Sequence, residues 1–331
     1  MKKIFLTTIA LLSILINIGC SGGGKDAVRL KMSVTTSETS TWVISAKKFA
    51  EVVKEKTDGK VIIDVYPNEQ LSGGNQSKGI EMLSSGITDL SWHSNLIWAS
   101  IDTKFGVISL PWIYQDENEA ELVLSGKAGD AIKKLTLEKG VECLAFGESG
   151  FRQVSNNKKP ILTPKDLIGI KMRVPNIGML VDVFRILGAN AVGMNWSEVF
   201  TALQQNTIDG QENPLDVMMS AKIEEVQKYL TAWNYCYDAL ILGINKKKMD
   251  SLSSEYQQII RDSALEAAQM QKSLNRQIIE KQFKQLEALP TIQVTYLTDE
   301  QISVFRETVR PIYQKYEPLM GKDLVDLFVR N

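Results

Sequence analysis

From Val28 to the C-terminus the chain alternates short apolar strand-type runs with segments of helical period, and this alternation restricts the fold more than any motif does. It argues an α/β architecture with a largely parallel sheet. Residues 28–34 alternate apolar and polar side chains, as a half-buried strand does. Ala46, Phe49, Ala50 and Val53 then fall at helical spacing within 45–56, and Thr57-Asp58-Gly59 ends that helix. Val61-Ile62-Ile63 with Val65 is the next strand, 71–75 a glycine-rich turn, and 80–83 part of a helix that stops at Gly86. A further strand starts at Asp89.

The same grammar resumes near Gly150. Residues 162–167 turn into a short helical segment, and Lys171-Met172-Arg173-Val174-Pro175 is a short strand stopped by proline. Residues 177–187 are helical, 191–194 a strand, and 197–204 a helix with Ser197 as its N-cap. Gly210 follows at a position that suits φ > 0. Residues 240–244 form an apolar run of buried-strand type. From Ser253 to Leu289 there is no proline, and a helix of about 30 residues there is about 45 Å long. Residues 291–296 are a strand, and 299–316 return to helix.

At 331 residues the chain is long enough for two lobes around a large core. A hydrophobic fraction of 44% and a charged fraction of 23% exclude a disordered chain, a disulfide scaffold and a polytopic membrane protein. Lys and Arg number 38 against 39 Asp and Glu, a balance that argues against a nucleic-acid partner. A single histidine weakens any metal-hydrolase reading, and no metal site or cofactor is expected.

The N-terminus is an address. Met1-Lys2-Lys3 precedes an apolar run of 13 residues, too short for a spanning helix of about 20. Residues 1–20 are therefore a signal peptide. Gly19-Cys20 resembles the lipobox of bacterial lipoproteins, with Asn17 where an aliphatic residue is usual, so Cys20 is the expected lipidation site. Residues 21–26 are a flexible tether. Export permits a disulfide between Cys143 and Cys236, but their apolar contexts favour two separate buried thiols.

Enzyme motifs are missing. There is no G-x-S-x-G elbow, Walker loop or H-E-x-x-H, and Leu71-Ser72-Gly73-Gly74-Asn75 is better explained by turn chemistry than as a phosphate cradle. The informative residues lie between Glu148 and Pro214. Arg173 stands in an otherwise apolar strand, and a buried guanidinium needs a partner. That partner is either one of the chain's own acids or a carboxylate from outside, which the planar fork matches with two parallel hydrogen bonds.

Gly150-Phe151-Arg152-Gln153, Met172-Arg173-Val174-Pro175-Asn176, Trp196-Ser197-Glu198-Val199 and Asp209-Gly210-Gln211-Glu212-Asn213-Pro214 together resemble the extracytoplasmic solute receptors of TRAP transporters, of the C4-dicarboxylate-receptor type and its sugar-acid-binding branch. Phe49-Ala50-Glu51, Tyr66-Pro67, Gln70-Leu71 and Leu110-Pro111-Trp112 extend the resemblance over nearly the whole mature chain. It implies a two-lobed periplasmic-binding-protein-like fold with a hinge, cross-over strands and a long helix along both lobes. Lobe I is expected over 27–149 plus 238–278, and lobe II over 150–237 plus 279–331.

Carried over by resemblance, Arg173 clamps the ligand carboxylate, Arg152 is a second pocket arginine and Asn213 assists the clamp. Asn176 and Trp196 match pocket-lining positions, Trp196 either stacking on a sugar ring or packing in the core. Thr35, Asn75 and His93 fall near positions that contact ligand hydroxyls, His93 having a structural role as its alternative. Tyr235 either reaches the ligand or packs near the hinge.

The function implied is that of a non-enzymatic, extracytoplasmic, periplasmic or cell-surface binding protein. It captures an organic acid, foremost a hexuronate or related sugar acid, closes by a hinge motion and delivers the acid to the small and large membrane permease subunits. A lipid on Cys20 anchors it, and a monomer is expected. A C4-dicarboxylate or keto-acid receptor of the same transporter type, or a sensory binding protein, is the alternative, with an enzyme third.

Overall fold

The structure, a computed structural model, describes residues 27–329; the expected signal peptide with Cys20 and the expected tether over 21–26 lie outside the described residues. Ten strands are present among them: β1 (Val28–Val34), β2 (Val61–Tyr66), β3 (Leu90–Ser94), β4 (Val141–Asn156), β5 (Lys171–Val174), β6 (Asn190–Gly193), β7 (Gly210–Pro214), β8 (Tyr229–Ala232), β9 (Tyr237–Asn245) and β10 (Gln293–Tyr296). Their order is β2-β1-β3-β9-β4-β7-β5-β6, with β8 beside β4 and β10 beside β8.

Each end of this sheet is built from parallel pairs, β1 with β2 and β3, and β5 with β6 and β7. The middle is antiparallel: β9 runs against β3 and β4, and β4 runs against β7 and β8. The sheet is thus mixed rather than largely parallel. Crossover helices make the parallel ends, while β4 and β9 carry the chain between the two halves in opposite directions.

β4 is a strand to which the sequence reading assigned no element, and it runs through the lobe boundary expected at 149/150. It runs for 16 residues, pairing with β9 as far as Phe151 opposite Tyr237 and with β7 from Arg152 opposite Pro214. Bulges at Cys143/Ala145 and Glu148/Gly150 bend it, and Gly150 takes φ +94 at the second. Glycines and small polar residues dilute the apolar pattern here, so the strand signal is weak.

The long helix Ser254–Glu287 has 34 residues, about 51 Å at 1.5 Å per residue. Ser253 caps it by accepting from the Tyr256 amide. It packs first on helix Thr41–Lys56 and β4, then on helix Leu215–Ser220 and β10, and so lies along both lobes. Small buried residues, Ser263, Ala264, Ala267 and Ala268, let it approach closely. Helix Asp299–Met320 packs on helix Gly178–Ile186 and on the turn Thr103–Ser109, again touching both halves.

Two local expectations are corrected. Asn195, not Ser197, is the N-cap of helix Trp196–Gln204; Ser197 lies inside the helix and its hydroxyl donates to the Gly74 carbonyl at 3.3 Å. Gly210 has no positive φ; the left-handed residue of that turn is Asn206 at φ +57. Gly210 is required by packing instead, since a Cβ there would sit 2.3 Å from the Ser155 carbonyl oxygen. Cys143 and Cys236 are buried and free. Among the described residues no helix is long and apolar enough to cross a membrane.

Candidate functional site

The C-terminal ends of β1, β3, β5 and β7 converge on one crevice, the position where open α/β sheets bind ligands. Thr35 and Thr36 follow β1, Ser94 ends β3, Arg173 lies one residue before the end of β5 and Pro175 just after it, and Asn213 lies in β7. Arg152 of β4 and Asp238 of β9 enter from the crossing strands, and Trp196 from the start of its helix. These residues, with Trp42, Gln76, Leu96, Ile97 and Val217, line a cavity of about 20 Å³. Thr35, Gln76 and Trp196 also line an outer vestibule of about 290 Å³, beside Asn68, Glu69 and Phe200. Contacts across the mouth hold the lobes together: the Trp196 amide donates to Gln76 Oε1 at 3.2 Å, and Ser37 Oγ donates to the Ser220 carbonyl at 2.8 Å.

Arg173 is 1% exposed. Its Nε and Nη2 both donate to the Met194 carbonyl, at 3.0 and 2.6 Å, and its guanidinium lies 5.6 Å from the Trp196 ring centroid. No carboxylate among the described residues lies within ion-pair distance of it. Burial therefore pushes its pKa down to about 9, with Arg152 adding to the effect and Glu212 opposing it. At neutral pH it remains a buried cation without an acid.

Arg152 is equally hidden and saturated. Its Nε and Nη2 grip Glu212 at 2.5 and 2.8 Å, and Nη1 donates to Asp238 at 2.6 Å. Burial opposes its charge, but the two carboxylates outweigh burial and hold its proton more firmly than usual. The internal ion pair that the sequence left open for Arg173 is made by Arg152 instead. Burial pushes the Asp238 carboxyl up, against the pull of Arg152 and of Ser94 Oγ, which donates to it at 2.5 Å.

The remaining candidates separate. Asn213 and Thr35 line the cavity, Asn213 accepting from Arg152 Nη2 at 3.0 Å and Thr35 donating to Glu69 at 2.9 Å. Tyr235 lies behind the wall, where its hydroxyl donates to Glu212 at 2.6 Å among Trp112, Phe184 and Trp233. His93 is buried in lobe I with Nε2 on Glu69, which also accepts from Ser33, Thr35 and Ser72. Asn75 is an exposed N-cap, its Oδ1 accepting from the Lys78 amide at 3.0 Å. Asn176 is exposed against Gly193 and lines neither space. Gln76, Ser94, Asp238 and Glu212 are placed in or directly behind the wall although sequence reasoning passed over them. Two of them carried a visible signal: Glu212 lies inside the Asp209–Pro214 motif, and Asp238 is an acid near the start of a buried apolar strand.

The crevice of this two-lobed α/β body thus holds a buried cation with no carboxylate of the described residues within ion-pair distance. The chain belongs to the bacterial extracellular solute-binding proteins of family 7, whose model matches residues 32–319. It is 35% identical over 305 residues to the 2,3-diketo-L-gulonate-binding periplasmic protein YiaO of Escherichia coli, covering 92% of this chain and 88% of that one. It superposes with a TM-score of 0.87 at 31% identity on the sugar acid binding protein DctPAm of Advenella mimigardefordensis in complex with galactonate, covering 92% and 97%. A TRAP periplasmic solute binding protein of Sulfurospirillum deleyianum with bound succinate gives 0.85 at 28% identity, covering 92% and 100%. The family consists of extracytoplasmic solute receptors of TRAP transporters, not enzymes.

Proposed function

We propose that this receptor captures a hexuronate or related sugar acid, with Arg173 as the carboxylate clamp. The observation that carries the reading is the buried, acid-free guanidinium of Arg173 lining the interlobe cavity. Trp196 flanks that guanidinium and offers an aromatic face to a sugar ring, while Asn213, Gln76 and Thr35 supply amides and hydroxyls for the ring substituents. Arg152, fixed by Glu212 and Asp238, acts as a positioning residue. Thr35 is the first-lobe contact; His93, through Glu69, orients it, and Tyr235 orients Glu212. Asn75 and Asn176 belong to the rims of the two lobes rather than the wall.

A cavity of about 20 Å³ is far below the roughly 300–1,000 Å³ of ordinary ligand pockets, so solute entry parts the lobes and binding draws them together. We take the hinge to fall where β4 and β9 pass between 27–149 plus 238–278 and 150–237 plus 279–331. The loaded, closed monomer delivers its solute to the small and large permease subunits. A lipid on Cys20, after the Gly19-Cys20 leader end, holds it at the outer membrane face. A C4-dicarboxylate is the second reading, favoured by the succinate-bound relative.

Isothermal titration of the purified protein with uronates, aldonates, 2,3-diketogulonate and succinate tests the reading. Binding of a sugar acid, weakened about a hundredfold or more in Arg173→Ala, is the expected result, because a charge-assisted pair in a desolvated site is lost. A protein that takes up no carboxylate, or an Arg173→Ala variant that binds unchanged, ends it.

A further inference from the structure

The cavity wall contains a charge imbalance that bears on which acids can enter. Arg152 is matched twice, by Glu212 and by Asp238, so two carboxylates share one guanidinium in this group. Asp238 is the carboxylate of this group that faces the cavity, whereas Glu212 lies behind it. Arg173 is the only other charged side chain lining the cavity, and Glu69 adds a further carboxylate to the vestibule. No lysine lines either space. Apart from Asp238, the first-lobe residues lining the cavity are uncharged: Thr35, Thr36, Gln76 and Ser94 supply polar groups, and Trp42, Leu96 and Ile97 apolar ones.

One ligand carboxylate is enough to neutralise Arg173. A second finds no free cation and meets Asp238 in a space from which water is largely excluded, where like charges repel strongly. Asp238 also keeps acceptor capacity. Its Oδ1 takes the Ser94 hydroxyl and its Oδ2 takes Arg152 Nη1, two of the roughly four positions a carboxylate offers.

We infer that Asp238 is a specificity determinant: it accepts a hydrogen bond from a hydroxyl of the bound solute and restricts the receptor to acids carrying a single carboxylate. This rests on the reading that Arg173 grips the solute. The succinate-bound relative is 28% identical, so the restriction belongs to the side chains of this chain and not to the fold.

Matched acids provide the test. D-Glucuronate and D-galactonate are titrated calorimetrically against glucarate and galactarate, which keep the carbon skeleton and add one terminal carboxylate; succinate is included. The expected result is a preference of about a hundredfold for a monoacid over its matched diacid in the wild-type protein, narrowed about tenfold in Asp238→Asn by stronger binding of the diacid. A wild-type ratio near one, or tighter binding of succinate than of any monoacid, overturns the inference and leaves the receptor reading standing. Binding of no carboxylate at all overturns both. A folded Asp238→Asn protein with an unchanged ratio removes Asp238 from the role. The wild-type ratio is read first, so a variant that fails to fold does not shield the inference.

Discussion

Arg152 sits between Glu212 and Asp238, while Arg173, buried as deeply, meets only the Met194 carbonyl and the Trp196 face. Two residues of one type thus have opposite surroundings, because β7 and β9 bring acids to Arg152 whereas the residue after β6 brings a carbonyl to Arg173. A similar division holds for His93 and Glu69. Burial pushes the Glu69 carboxyl up, but His93 and the hydroxyls of Ser72 and Thr35 outweigh it and hold it below its ordinary 4.5. A carboxyl whose pKa is depressed on folding contributes stability above its unfolded value, and that contribution is lost as pH falls through the folded one. The melting temperature is therefore expected to fall as pH drops below about 4.5, and Glu69→Gln to flatten that part of the profile. Differential scanning calorimetry between pH 3 and 7 reads both curves (roughly the window in which a carboxyl titrates); parallel curves refute the assignment.

At the scale of elements, β7 carries a tight packing constraint. Its first residue, Gly210, lies against the β4 backbone, where an added Cβ would sit 2.3 Å from the Ser155 carbonyl oxygen and 2.9 Å from Met172 Cε. Because one of those neighbours is backbone held in the β4–β7 ladder, it cannot swing aside. Gly210→Ala is expected to lower unfolding free energy by about 1–3 kcal/mol through overpacking. Urea unfolding should show a lower midpoint at constant slope, and an unmoved midpoint would show that β4 yields. The sequence signalled that Gly210 mattered but suggested backbone conformation as the cause, since a glycine after a helix usually supplies positive φ. Whether the constraint was φ or contact depended on β4, far away in the chain.

At the scale of the whole molecule, polar contacts join the lobes at the mouth, Trp196 to Gln76, Ser197 to Gly74 and Ser37 to Ser220, while β4, β9 and the 34-residue helix pass continuously beneath them. Under the proposed hinge closure, such a body is expected to open at the mouth and bend at the strands. Addition of a bound sugar acid should reduce the radius of gyration in X-ray scattering and slow amide exchange at Trp196. A radius and exchange rate that do not respond to a solute shown to bind would exclude hinge closure. The sequence by itself determined the α/β grammar, the bounds of β1, the start of β2, most of the long helix and Arg173, since periodicity and charge in an apolar strand are local signals, while Arg152 stood out only through the family resemblance. It could not determine which arginine was free. That depended on β9 bringing Asp238, and β7 bringing Glu212, to Arg152 across 86 and 60 residues of chain, with neither acid within ion-pair reach of Arg173. Charge pairing is decided by distance in space, and only the folded sheet sets that distance.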